Sequence, residues 1–133
     1  MNEQSQMVTL PSSGTRVWYL HGELHREDGP AVEFTDGSKV WCLHGRQHRD
    51  AAPAIEYADG TVVWFQCGKR HREDGAAVEY ANGTVQWWLN DVQYDAIESW
   101  AAAVLQHRMQ SCTVEAIDAF LRPILDKQVD ECI

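Results

Sequence analysis

A 23-residue unit recurs without slippage through the middle of this 133-residue chain and limits what it can fold into. Gly14, Gly37, Gly60 and Gly83 keep that spacing, as do Trp18, Trp41, Trp64 and Trp87, and His25, His48 and His71. A fixed period of this length signals stacked supersecondary units, each too small to bury its own apolar face. Repetition of this kind builds architecture, whereas a catalytic centre is assembled once, from residues that do not recur.

Each unit opens with an apolar, aromatic run (Val17-Trp18-Tyr19-Leu20, then Val40-Trp41-Cys42-Leu43, then Val62-Val63-Trp64-Phe65). A turn at Gly22, Gly45 or Gly68 follows, then a polar His-Arg segment and a second run ending in Phe34, Tyr57 or Tyr80. Asp36-Gly37, Asp59-Gly60 and Asn82-Gly83 close the units, and such steps between strand-like runs are strong hairpin signals because both residues tolerate positive φ. The pattern predicts an antiparallel meander of about seven strands over residues 14–94, preceded by a flexible polar lead-in over 1–13.

The repeat then stops. Asp91 replaces the turn glycine, and the apolar period lengthens from 2 to 3.6. Asp95 and Glu98 fit a capping box, and Ile97, Trp100, Ala101, Val104 and Leu105 share one helical face. Thr113 starts a second predicted helix, carrying Val114, Ile117, Phe120, Leu121, Ile124 and Leu125 and kinked at Pro123. The expected class is therefore α+β, with a helical pair over residues 95–133 capping the sheet.

In the first strand Trp18 and Leu20 point one way, Val17 and Tyr19 the other. Both faces are apolar, so each needs cover. Two helices cover part of one face, which leaves the other to sheet curling or to another molecule. The equivalent tryptophans are predicted to form a row spaced by roughly 10 Å, a surface larger than monomers usually expose.

Net charge is −9, which argues against direct nucleic-acid binding and against adsorption to anionic lipid. No apolar run reaches the roughly 18 to 20 residues of a membrane span, and residues 1–6 lack a secretory pattern. Cys42, Cys67, Cys112 and Cys132 occupy unrelated repeat positions, so their spacing predicts no disulfide framework, and the expected setting is reduced and cytoplasmic. Cys42 stands where neighbouring units carry Tyr19 and Phe65, as a small core filler.

His21/His25, His44/His48 and Cys67/His71 recur across a turn, but two ligands per unit do not complete a zinc site. The expectation is structural: histidines bonding turn backbone or carboxylates, with no metal and no cofactor. Arg26, Arg49 and Arg72 recur seven residues before Glu33, Glu56 and Glu79, and are expected to pair with them. The chain has no phosphate loop, nucleophile elbow or CxxC, so no catalytic residue is predicted.

The segment Trp64-Phe65-Gln66-Cys67-Gly68-Lys69-Arg70-His71, followed by Gly75 and Tyr80-Ala81-Asn82-Gly83-Thr84, resembles the MORN repeat. Here His-Arg-Glu-Asp-Gly-Pro-Ala replaces a shorter stretch, so the units resemble a variant of that family. The resemblance covers roughly residues 14 to 90 and implies an elongated β-hairpin stack with a scaffolding or dimerising role. The expected function is thus a non-enzymatic protein-interaction module, self-associating as a homodimer. Its predicted contacts are Trp18, Trp41, Trp64, Trp87, Tyr19, Phe65 and Trp88, with the turn carboxylates Glu27, Asp28, Glu73 and Asp74. The alternative is a small acidic inhibitor, in the manner of phage anti-defence (anti-CRISPR) proteins, presenting those carboxylates to a nucleic-acid-handling enzyme.

Overall fold

The structure, a computed structural model, describes residues 4–110. Among them the chain is an antiparallel β-meander closed by one helix, so the α+β class holds. The first unit supplies β2 (Arg16–Leu20), β3 (Glu23–Leu24) and β4 (Val32–Glu33), and β1 (Gln6–Thr9) precedes it. The second supplies β5 (Lys39–Val40), β6 (Cys42–Leu43), β7 (Arg46–Gln47) and β8 (Ile55–Glu56). The third supplies β9 (Val62–Val63), β10 (Phe65–Gln66), β11 (Lys69–Arg70) and β12 (Val78–Glu79). The partial fourth supplies β13 (Val85–Leu89) and β14 (Val92–Tyr94), and α1 (Ile97–Gln110) follows. The main sheet runs β1-β2-β4-β5-β8-β9-β12-β13-β14 with β3 on β2, while β6–β7 and β10–β11 are separate two-stranded ladders.

Fourteen short strands replace the seven predicted from sequence. The cause lies at the tryptophans. The Trp41 N–H donates to Ala54 O at 2.7 Å, while Trp41 O accepts from His48 N–H at 3.0 Å. Between those two bonds the opposing arm leaves the sheet as a loop over residues 49–53. The same exchange occurs at Trp64 with Ala77 and His71, and at Trp18 with Ala31 and His25. Each hairpin therefore pairs at its tip and at its base, and the ladder breaks between them.

Turn chemistry also differs from the sequence reading. Positive φ at both central residues occurs at His21-Gly22, His44-Gly45, Cys67-Gly68 and Asn90-Asp91, the geometry that suits two-residue hairpins. At the Asp-Gly and Asn-Gly steps the glycine alone takes positive φ. There Asp36, Asp59 and Asn82 accept the N–H of Ser38, Thr61 and Thr84 instead, at 2.8, 2.8 and 2.9 Å.

Residues 1–13, read from sequence as a lead-in, contain β1, paired with β2 through Gln6↔Tyr19, Met7↔Trp18, Val8↔Val17 and Thr9↔Arg16. Helix α1 packs on β13 and β14, where Trp100 and Val104 are buried against Leu89, with Trp87, Tyr94 and Ala103 around them. Ile97, Ala101 and Leu105, predicted for the same buried face, are exposed, because only the edge centred on Trp100 and Val104 meets the sheet. The second predicted helix lies outside the described residues. Cys42 is buried, as expected, and burial pushes its thiol up to about 11. Cys67 is disulfide-bonded, contrary to the expectation from cysteine spacing.

Candidate functional site

Register divides the sheet into two unlike faces. Arg16, Glu33, Lys39, Glu56, Val62 and Glu79 align across successive strands on one face, and Val17, Val32, Val40, Ile55, Val63 and Val78 align on the other. The tryptophans lie two residues from Arg16, Lys39 and Val62, hence on the first face.

That face is covered from within. The guanidinium of Arg26 lies 3.9 Å from the Trp18 ring centroid, Arg49 lies 3.8 Å from that of Trp41, and Arg72 lies 3.8 Å from that of Trp64. Each arginine is held by its own loop. Arg49 Nη1 donates to Pro53 O at 3.1 Å and to Glu56 Oε2 at 2.9 Å, and Arg72 Nη1 donates to Ala76 O and Glu79 Oε2 at 3.0 and 2.8 Å. Arg26 repeats the pattern with Pro30 and Glu33. The fourth unit has no arginine there, and Trp100 of α1 covers Trp87 at 4.6 Å between centroids. The tryptophan row is thus half-buried under cations and a helix, where the sequence reading had it as an open contact face.

The predicted acidic contacts are largely engaged within the chain. Glu27 and Glu73 accept from Nε2 of His25 and His71 at 3.2 and 3.0 Å. Asp28 and Asp74 accept from Nε of Arg26 and Arg72 at 3.1 and 2.8 Å. Burial raises the Glu73 carboxyl, but the His71 hydrogen bond, with His107 and Arg108 beside it, outweighs that and holds it below its ordinary value. The Arg72 hydrogen bond does the same for Asp74. Glu27 and Asp28 still present 78% and 88% of their side chains to solvent.

On the opposite face the strand residues Val17, Val32, Val63 and Val78 are buried, and the aromatics two positions along at the turns are the exposed side chains. Phe34, Tyr57 and Tyr80 are 44%, 47% and 40% exposed, and Tyr19 is exposed on the same face toward the hairpin tip of β2. Backbone bonds pair Phe34 with Ser38, Tyr57 with Thr61 and Tyr80 with Thr84, so an aromatic residue recurs on every second strand with a small hydroxyl residue between. Ser38 and Thr61 are buried in those gaps, and their Oγ atoms accept from Ala58 and Ala81 N–H at 3.0 and 3.1 Å. A cleft of about 420 Å³ lies between Tyr57 and Tyr80, floored by Val63 and Val78 and bounded by Trp88, Gln86, Arg70 and Asp59. Phe65 and Trp88, both predicted contacts, flank Arg70 at 5.8 and 4.8 Å from its guanidinium. Sequence reasoning missed Phe34, Tyr57 and Tyr80 as contacts, although they keep the 23-residue spacing and fall two positions after Val32, Ile55 and Val78.

Among the described residues, no group of three or more His, Cys, Asp or Glu side chains could hold a metal ion, and no helix is long and apolar enough to cross a membrane. Comparison of the chain with protein-family models, curated proteins and solved structures finds no match.

Proposed function

We propose that this chain is a non-enzymatic protein-interaction module whose contact surface is the Phe34–Tyr57–Tyr80 face. One observation carries the reading. Three large aromatic side chains at equivalent repeat positions stay exposed, whereas the tryptophans of the other face are stacked under the chain's own arginines. Tyrosine and other aromatics anchor protein interfaces because they bring much apolar area at little conformational cost. The MORN-like reading of the repeat accords with such a role.

Self-association is the second reading, favoured by the same exposed row, since two copies related by a two-fold axis would present it to each other. Sedimentation velocity across micromolar concentrations tests it. Mass rising with concentration in the wild type, and constant mass in a Tyr57→Ser/Tyr80→Ser variant, is the expected result. A wild-type monomer at every concentration would remove the homodimer. The acidic-inhibitor alternative draws support from Glu27, Asp28 and Asp74, which stay exposed despite their local pairings, whereas Glu73 is tied to both His71 and Arg108.

A further inference from the structure

The geometry points to a proline-rich segment in the polyproline II conformation, bearing an acidic residue, as the partner of the Phe34–Tyr57–Tyr80 face. This rests on the interaction-module reading and adds the chemical class of the partner. The row has a measurable period. Strands in a sheet lie about 4.8 Å apart, so aromatics on alternate strands recur at roughly 9.6 Å. A polyproline II helix rises about 3.1 Å per residue with three residues per turn, which repeats at roughly 9.3 Å. A ligand crossing the strands at right angles would therefore set one proline face against each gap between rings, with Ser38 and Thr61 beneath. From Phe34 to Tyr80 this takes roughly six to seven residues. Aromatic-lined grooves of this kind suit proline because the ligand is already ordered before it binds.

Charge sets the polarity. Arg70 stands where the other units carry Leu24 and Gln47, and Gln86 where they carry Val17, Val40 and Val63, so neither is part of the repeated architecture. Both line the same cleft with Trp88. The indole N–H of Trp88 donates to Gln86 Oε1 at 3.1 Å, which leaves the Gln86 amide N–H groups as donors. Arg70 stacks on Trp88, and its guanidinium makes no carboxylate contact among the described residues, unlike Arg26, Arg49 and Arg72. Register sets Gln86 opposite Val78 and Arg70 opposite Phe65, further along the strands than Tyr80, while Asp59 lines the cleft at its turn end, so the two donor groups on the hairpin side call for a carboxylate reaching from the ligand past Tyr80.

The test uses the full chain and fluorescein-labelled peptides read by anisotropy: seven prolines followed by glutamate, the same ending in glutamine, and a glycine-serine peptide ending in glutamate. The proline–glutamate peptide is expected to bind, the glycine-serine peptide to bind at least about tenfold more weakly, and Tyr57→Ser or Tyr80→Ser to cost about tenfold each. Arg70→Gln is expected to erase the preference for glutamate over glutamine while polyproline binding persists. The proposal is overturned if proline peptides fail to bind at millimolar concentration, if both tyrosine variants bind as the wild type does, or if Arg70→Gln keeps the glutamate preference. Each variant is first compared with the wild type by circular dichroism, and one that loses the wild-type spectrum is replaced by Tyr57→Leu or Tyr80→Leu, so that a lost signal reports the surface. If the peptides fail while the tyrosine variants still abolish self-association in sedimentation, the module reading stands and only this partner falls.

Discussion

The backbone N–H of His44 donates to Nδ1 of His25 at 2.9 Å, and their rings lie 4.4 Å apart between centroids. The bond fixes the His25 tautomer: with Nδ1 accepting, Nε2 carries the proton and donates to Glu27. The same relation links His48 to Cys67 N–H at 3.0 Å and His71 to Asn90 N–H at 3.1 Å. Each buried or half-buried imidazole therefore ties its own loop to the hairpin turn of the following unit. The next turn N–H, of Gly45, Gly68 or Asp91, donates to the backbone of the preceding unit as well.

His25→Ala should weaken that coupling. It leaves the His44 N–H without its acceptor and opens a gap at a 3%-exposed site, so a loss of about 2 to 3 kcal/mol is expected. Urea unfolding should show a lower midpoint with an unchanged slope.

Arg49→Lys should not be neutral. The guanidinium stacks on Trp41 while donating to Pro53 O and Glu56, and an ammonium cannot reproduce that planar set. The expected cost is about 1 kcal/mol, with tryptophan emission shifted to the red as Trp41 gains water.

Gly29 and Gly75 lie against the arginines that cover the tryptophans. A Cβ there would stand 2.8 Å from Arg26 Cζ and 2.7 Å from Arg72 Cζ, so Gly→Ala at either position must displace the stacked cation. The middle unit already carries Ala52 at this place, and its loop differs, with Ala51 at φ 58°. Ala51→Gly should relieve that left-handed residue and raise stability by up to about 1 kcal/mol, visible as a higher Tm.

Glu73 sets an acid-side dependence. Its folded carboxyl titrates below its ordinary value, so the charged form is favoured by folding. The contribution is present above the unfolded carboxylate range near pH 4 and is lost as pH falls through the lower folded value. Glu73→Gln should therefore be less stable than the wild type at neutral pH, and the difference should vanish in acid. A gap that persists at pH 2 to 3 would contradict this assignment.

Trp100→Ala should release the helix. Trp100 packs on Trp87 and Leu89 and donates its indole N–H to Arg72 O at 3.1 Å. A loss of about 3 kcal/mol is expected, with hydrogen exchange accelerated first in α1 and β13.

The repeat itself was legible in the sequence. Period, strand direction, turn positions, the Arg–Glu pairs seven residues apart and the first capping helix all follow from local spacing, because strands and helices impose fixed periods on their apolar residues. The alternation of Val17 and Trp18 even separated the two faces. Which aromatic row stays exposed was decided by the tertiary structure. Loop residues Arg26, Arg49 and Arg72 fold back over the tryptophans where the strand ladder exchanges partners at Trp18, Trp41 and Trp64, and those exchanges are backbone hydrogen bonds within each unit that the apolar period does not register. A pattern of apolar residues marks both faces as needing cover; the path of the chain determines which side chains receive it.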